Sequence, residues 1–437
     1  MAKVNASSDK PRRAVIIAGV RTPFVKAWTD LMEHSTLDLS CAAVTGLLQK
    51  TGLDPKRIDS VVWGSVILPV RAPNTARELV LELGLPRHIP GMTVTRACAT
   101  GLQAITTAIE EVERGYSDVV LAGGSDSTSN AEMPMPQKLV HFGARLTYGG
   151  KKTPAQTLEL AKELLPLSDL IPEVPKLTER YTKKTMGEHC EEMAQIHGIP
   201  RDQQDKFAAV SHQRAAKAIA SDRFVREVVP VKRANGQLVR EGNIVRADTT
   251  AEKLGKLRPV FSREGTITAG NASPLTDGAA AVLVVEESVA KQLNIGLPMA
   301  RVRSWAYAAL DPNDGLLLGP AYASPVALKR AGMTMKNLDL MDMHEAFAAQ
   351  CLCNLKMMSS DTFARERLQM DKAMGEMDPS RLNVHGGSIA LGHPFGATGV
   401  RQATTMINEL AERDLQTAMI TICAAGGMGV SAVLERI

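Results

Sequence analysis

Apolar positions along this chain fall into short strand-length runs that alternate with stretches of helical spacing. Ala14–Ala18 reads as a buried strand, and Leu37–Thr51 repeats its apolar residues with the period of a helix. Ser60–Val66 predicts a second strand, Thr100–Arg114 a helix and Asp118–Ala122 a third strand. The rhythm returns near the other end: helix Pro325–Ala331, strand Leu338–Met343, helix Ala397–Arg413, strand Ala418–Cys423. Alternation of this kind predicts an α/β layer architecture.

The two ends also echo each other. Residues 52–59 align without gaps with residues 332–339, and Cys98-Ala99-Thr100-Gly101 is similar to Gly396-Ala397-Thr398-Gly399. Each of the latter opens a helix that is followed by a strand. Matches this short leave an internal duplication open, and the shared order of elements favours it. A duplicated unit would set the helix start at Cys98 opposite the turn at His393, with a site between the halves.

The middle, about Ser127–Ser262, breaks the rhythm. It is rich in charge and proline, with Lys151-Lys152, Lys183-Lys184, Pro166, Pro172 and Pro175, and holds one evident helix, Arg201–Ala220, opened by Pro200. It reads as an insertion and a lid or ligand cover. Within it, residues 157–167 place Leu158, Leu160, Ala161, Leu164 and Leu165 at helical spacing, beside Lys151, Lys152, Lys162, Lys183 and Lys184. That face serves either internal packing or docking of a partner or a membrane surface.

Composition narrows the class. A chain of 437 residues fits two or three domains, and 44% hydrophobic with 22% charged residues is ordinary for a globular protein. A net charge of +4, with no basic block interleaved with aromatics, argues against a nucleic-acid partner. Six cysteines without a CxxC pair suggest reduced thiols in a cytoplasmic setting and give no zinc-knuckle spacing, so no metal is expected. Met1–Arg13 is polar and lacks the apolar region of a secretory signal, and no apolar run is long enough for a bilayer span.

The chemistry sits in small-residue turns. Cys98 stands where a strand gives way to a helix; a lone buried cysteine is usually inert, but a helix start lowers a thiol's pKa and offers N–H groups to an oxyanion. His393 lies in Gly392-His393-Pro394-Phe395-Gly396, a frame that would fix a base. Cys423 ends an apolar strand before Ala424-Ala425-Gly426-Gly427, where a second thiol could pass a proton to carbon. His344-Glu345, taken alone, reads as a solvated polar pair. Asn271-Ala272-Ser273 is, by its chemistry, a loop. Gly426-Gly427-Met428-Gly429 lacks the spacing of a nucleotide-binding fingerprint.

Together these residues resemble the thiolase family, over about Ala14–Ile437. The resemblance rests on Arg21-Thr22-Pro23-Phe24, the Cys98 segment, Asn271-Ala272-Ser273, Gly392-His393-Pro394 and Cys423-Ala424-Ala425-Gly426-Gly427. His344-Glu345-Ala346-Phe347 stands where many thiolases carry Asn-Glu-Ala-Phe. That His, the long insertion and residues 311–320 look more like the β-subunit of the fatty-acid β-oxidation (trifunctional) complex. The resemblance implies two similar five-layered α-β-α-β-α halves: 12–126 completed by 263–287, and 288–437, with 127–262 an inserted loop domain.

It further implies a 3-ketoacyl-CoA thiolase, an acetyl-CoA C-acyltransferase of fatty-acid β-oxidation. Cys98 matches the acylated nucleophile, His393 the base and Cys423 the acid/base thiol. The N–H groups of Cys98 and Ala425 match one oxyanion hole, and His393 with His344 the other. Ser273 and Arg246 match coenzyme A-contacting positions and Met186 a substrate-binding one, while Thr185 departs from the His of short-chain biosynthetic members. Coenzyme A is then a substrate and no cofactor is implied. The implied partners are a second copy, as homodimer or dimer of dimers, a hydratase/dehydrogenase α-subunit and a peripheral membrane contact. The rivals are acetoacetyl-CoA synthesis, a carrier-protein ketosynthase, against which Cys423 argues, and an inactive thiolase-like lipid-binding protein.

Overall fold

The computed structural model describes residues 11–172 and 178–437, the side chain of Ala18 excepted. Met1–Lys10 and Pro175, which entered the sequence reading, lie outside the described residues. The chain folds into two compact units, one of the residues up to Asn130 with Glu179–Ile437, the other Ala131–Thr178.

The larger unit is built on strands β1 (Ala14–Arg21), β2 (Ser60–Gly64), β3 (Gly91–Val94), β4 (Val119–Ser127), β5 (Thr276–Glu286), β6 (Met299–Ala309), β7 (Leu340–Met343), β8 (Thr417–Ala424) and β9 (Met428–Arg436). They lie in the order β7-β8-β9-β6-β1-β5-β4-β2-β3, with the short strand Val25–Lys26 paired to β5. The order contains one motif twice. In the first half β2 runs parallel to β4, which is antiparallel to β5, which is antiparallel to β1. In the second β7 runs parallel to β8, which is antiparallel to β9, which is antiparallel to β6. The duplication left open by short sequence matches is thus written in the topology. The two sheets meet where β1 pairs with β6, Ile16 opposite Ala300.

Side-chain alternation along the strands builds layers. On one side of the first sheet, Val15 and Ile17 of β1 pack with Leu39, Val44 and Leu47 of helix α1 (Thr36–Thr51). On its other side, Ile16, Val120 and Val282 pack with helix α2 (Thr100–Glu113) and helix α8 (Thr398–Glu412) in one core. Ile420 and Val430 of the second sheet close the same core. Beyond that sheet Met341, Met419 and Val433 pack on Ala327 and Leu328 of helix α7 (Gly319–Ala331). The result is the α-β-α-β-α order expected.

The central layer needs two helices in close approach. A Cβ on Gly101 would stand 2.5 Å from the Gly396 carbonyl oxygen, and one on Gly399 would stand 2.6 Å from Leu102 N. Only glycine admits that crossing, and it brings the starts of α2 and α8 together.

Two readings of local structure change. The helix expected from Pro325 begins six residues earlier and carries Pro325 inside it. Its small residues lie flush on β6 and β9, and that packing outweighs the lost N–H. The helical run expected over 157–167 is α4 (Pro154–Lys162), opened by a Thr153–Gln156 capping box, and it stops before Glu163. Leu160 is buried there, whereas Leu158 and Leu165 are exposed. The separate unit 131–178, holding α3 (Gln137–Tyr148) and α4, is narrower than the insertion read over 127–262. The helices α5 (Met186–Ile196) and α6 (Arg201–Ala220) belong to the larger unit. Among the described residues, no helix is long and apolar enough to cross a membrane.

Candidate active site

Cys98 is presented by a tight turn between β3 and α2. Ala97 takes a left-handed φ of 45°, strained for a residue with a Cβ. The turn is closed by Ala99 N donating to the Arg96 carbonyl at 3.1 Å and Thr100 N donating to that of Ala97 at 3.0 Å. Arg96 N donates to Thr100 Oγ1 at 2.6 Å. The helix proper therefore starts two residues beyond the sulfur, which is left half-buried. Burial pushes the Cys98 thiol up to about 12, against the pull of the Ala425 and Cys98 N–H groups. At neutral pH it is a protonated thiol with a backbone donor already aimed at its sulfur.

His393 enters from the equivalent turn of the other half, before α8. Its N–H donates to Thr276 Oγ1 at 3.1 Å, and its Nδ1 lies 2.7 Å from Thr398 Oγ1. The Thr398 hydroxyl donates onward to the Pro394 carbonyl at 3.1 Å. With that proton committed, Thr398 accepts from Nδ1–H, and the lone pair is left on Nε2, which has no partner among the described residues. Burial, helped by Arg401, lowers the imidazole to about 3, so it is neutral.

His344 and Glu345 are not a solvated pair. His344 is fully buried and Glu345 is 1% exposed. The rings of His344 and His393 lie 3.9 Å apart, tilted by 38°. His344 Nδ1 lies 2.9 Å from Ser388 Oγ, and its Nε2 is unpartnered among the described residues. Burial, then His393 and Arg401, holds His344 well below the usual histidine range. Glu345 accepts from Ser211 Oγ, Asn383 Nδ2 and Ile389 N at 2.7, 2.7 and 3.2 Å. It pins the segment that carries Ser388 and through it His344. A sequence reading of Glu345 alone cannot find these partners, which come from 134, 38 and 44 residues away.

Cys423 lies one residue before the end of β8, and residues 425–427 turn the chain into β9 with Gly426 and Gly427 both at positive φ, 82° and 69°. The turn is held by Gly426 N donating to Glu179 Oε1 at 2.6 Å. Burial, then the neighbouring Cys98, holds the Cys423 thiol far above its ordinary range. It sits in an apolar cluster with Cys190, Cys353 and Phe347, against which Met186, the first residue of α5, packs. Ser273 N donates to the Ala346 carbonyl at 2.9 Å, beside His344. Arg246 is exposed; its N–H donates to His212 Nδ1 at 3.3 Å. The structure thus gathers Cys98, His344, His393, Cys423 and Ala425, puts Ser273 and Met186 at the margin, and leaves the Arg246 guanidinium in solvent.

Asp126 gave no sequence signal. Its Oδ1 accepts from Val66 N, Ile67 N and Ser65 Oγ, and its Oδ2 accepts from Gly396 N at 2.6 Å. One buried carboxylate ties the first half to the His393 turn. Burial raises it to about 6 despite those donors. Arg401, which helps keep both imidazoles neutral, is itself paired with Asp342 at 2.6 Å.

The chain is similar to known proteins. The family model for the thiolase N-terminal domain matches residues 14–288, and that for the thiolase C-terminal domain matches residues 297–436. The chain is 43% identical over 428 residues to a 3-ketoacyl-CoA thiolase of Yersinia enterocolitica, covering 97% of each chain. It is 44% identical over 430 residues to one of Yersinia pestis, with the same coverage. The Bacillus anthracis acetyl-CoA acetyltransferase superposes with a TM-score of 0.82 at 30% identity, over 98% of this chain and 100% of that one. Human mitochondrial 3-ketoacyl-CoA thiolase in complex with CoA gives 0.80 at 31%, over 97% and 98%.

Proposed function

The chain belongs to the thiolase family, and we propose that it is a 3-ketoacyl-CoA thiolase, an acetyl-CoA C-acyltransferase that shortens acyl chains in fatty-acid β-oxidation. One observation carries this reading: a protonated thiol, two buried imidazoles with free Nε2 atoms and the Ala425 N–H converge on one point. His393 Nε2 takes the Cys98 proton as sulfur attacks the 3-keto carbon. The N–H groups of Cys98 and Ala425 hold the resulting oxyanion. Carbon–carbon cleavage leaves the acyl group on Cys98 and releases an acetyl-CoA enolate. Its thioester oxygen lies between the imidazolium Nε2–H of His393 and the Nε2–H that His344 carries when Ser388 donates to Nδ1. Each such donor is worth about 3–4 kcal/mol. Cys423 protonates the enolate carbon, and the His393 imidazolium returns its proton to the Cys423 thiolate, which makes His393 a neutral base again. His393 then deprotonates coenzyme A, which collects the acyl group. Ser273 and Arg246 are assigned to coenzyme A binding and Met186 to substrate binding, and the chemistry calls for no cofactor.

Mixing with 3-ketoacyl-CoAs of several lengths, without free coenzyme A, tests the reading by intact mass. One acyl group per chain and a matching release of acetyl-CoA are expected. An unmodified chain with bound ligand would instead identify a lipid-binding relative.

The assembly belongs to the same proposal. Strand β3 ends the sheet with no strand on its outer side among the described residues, and Met92 on it is exposed. The opposite edge, β7, is covered by Arg381–Asn383. An open edge of this kind supports a homodimer. The unit 131–178 exposes Leu158, Leu165, Leu167 and Ile171, and these support docking of a hydratase/dehydrogenase α-subunit, with a membrane surface as the other occupant. Removing residues 151–175 should leave thiolysis intact and abolish co-purification; unchanged co-purification would end that assignment. A cytoplasmic setting fits the six free cysteines.

A further inference from the structure

We infer that Cys98, His344 and His393 form a binding site for a borderline or soft metal ion, Zn2+ above all, and that its occupation silences the enzyme. The Cys98 sulfur and one ring nitrogen from each histidine all lie within 4.8 Å of one another. Ligands at Zn2+ bonding distances stand about 3.3–3.7 Å apart in a tetrahedron, so small side-chain rotations close the site.

The second requirement is ligand atoms with nothing else to do. Both Nε2 atoms are buried and without a partner among the described residues, and each ring is fixed through its Nδ1 by a hydroxyl, Ser388 or Thr398. Imidazoles oriented in this way by an outer hydrogen bond are what zinc sites use. One sulfur and two nitrogens suit Zn2+, Cd2+ or Cu+, not Mg2+ or Ca2+. Three protein ligands leave the fourth corner to water.

The proton balance is simple and involves no redox change. The metal replaces the Cys98 proton, which leaves to solvent. His393 already holds its hydrogen on Nδ1. His344 must move its hydrogen to Nδ1, with Ser388 Oγ turning from donor to acceptor, a role that a hydroxyl free to rotate can fill. The bound metal then occupies the nucleophile and the base at once, so binding competes with acyl-CoA. The metal site stands on the geometry alone; only its inhibitory effect rests on the function proposed above.

The full reduced chain tests this with three readouts. Iodoacetamide labelling, mapped by peptide mass, follows Cys98, with half-buried Cys41 as internal control. Equimolar Zn2+ should slow Cys98 labelling about tenfold or more and EDTA should restore it, with Cys41 unchanged. Co2+ should give a thiolate charge-transfer band that Cys98→Ser removes. His344→Asn should weaken Zn2+ binding about 10–100-fold, measured against a chromophoric chelator. Equal labelling with and without Zn2+, a Co2+ spectrum without the thiolate band, or equal affinity in His344→Asn would each overturn the proposal. Protection of Cys98 in a chain that cleaves no 3-ketoacyl-CoA would preserve the metal site and remove the function; turnover insensitive to Zn2+ would do the reverse.

Discussion

The turns at Cys98 and His393 are the same piece of architecture used twice for opposite ends. Each leads through Ala-Thr-Gly into a helix of the central layer, and the two helices cross at Gly101 and Gly399. The Cys98 turn is strained at Ala97 and leaves its sulfur half-buried, open to an incoming thioester. The His393 turn is unexposed and tied down by Thr276, Thr398 and Asp126. A nucleophile needs access, whereas a base needs one tautomer in one place. The two halves supply two equivalent turns, and the hydrogen bonds around each suit it to one of the two roles proposed above.

The comparison breaks most visibly at the base. His393→Ala should lose about 10²–10⁴-fold in both acylation by 3-ketoacyl-CoA and deacylation by coenzyme A, read in separate single-turnover experiments. Loss in one half-reaction only would mean that two different groups serve the two thiols. His344→Ala should keep acylation measurable and slow turnover about 10²–10³-fold, as one oxyanion donor is removed. Wild-type turnover would return His344 to a packing role.

Thr398→Val probes the tautomer. It leaves His393 in place but removes the acceptor for Nδ1–H, and kcat should fall about 10–100-fold with KM little changed. Thr398→Ser should restore it, and equal rates in all three would show that the hydroxyl does not matter. The smallest effect is in pH dependence. A thiol pushed up to about 12 is protonated across the neutral range, and a base lowered to about 3 does not titrate there. Labelling of Cys98 by iodoacetamide should therefore climb about tenfold per pH unit from pH 7 to 9. A plateau below pH 8 would reveal a resting thiolate–imidazolium pair instead.

Elements and layers were readable because period-2 and helical patterns are local: α1, α2 and α8 begin and end within a residue of where periodicity puts them. Pro325 misled because proline marks a helix start in isolation, and only packing on the sheet shows the turns before it. The residues proposed to react were picked out from motifs, since each sits in its own short turn, and the structure brings them together. Their support was not. Asp126 meets Gly396 across 270 residues, and Glu345 reads as a surface pair until Ser211 and Asn383 surround it. Such partners are fixed by tertiary contact and leave no spacing in the chain.

The central claim is that, of the two thiols at this site, Cys98 carries the acyl group and Cys423 only moves a proton. Acid-quenching the chain during turnover and mapping the adduct by peptide mass addresses it directly. One acyl group on the peptide containing Cys98, with an unmodified Cys423, is the expected result. An acyl group on Cys423 would contradict the account and reverse the two roles.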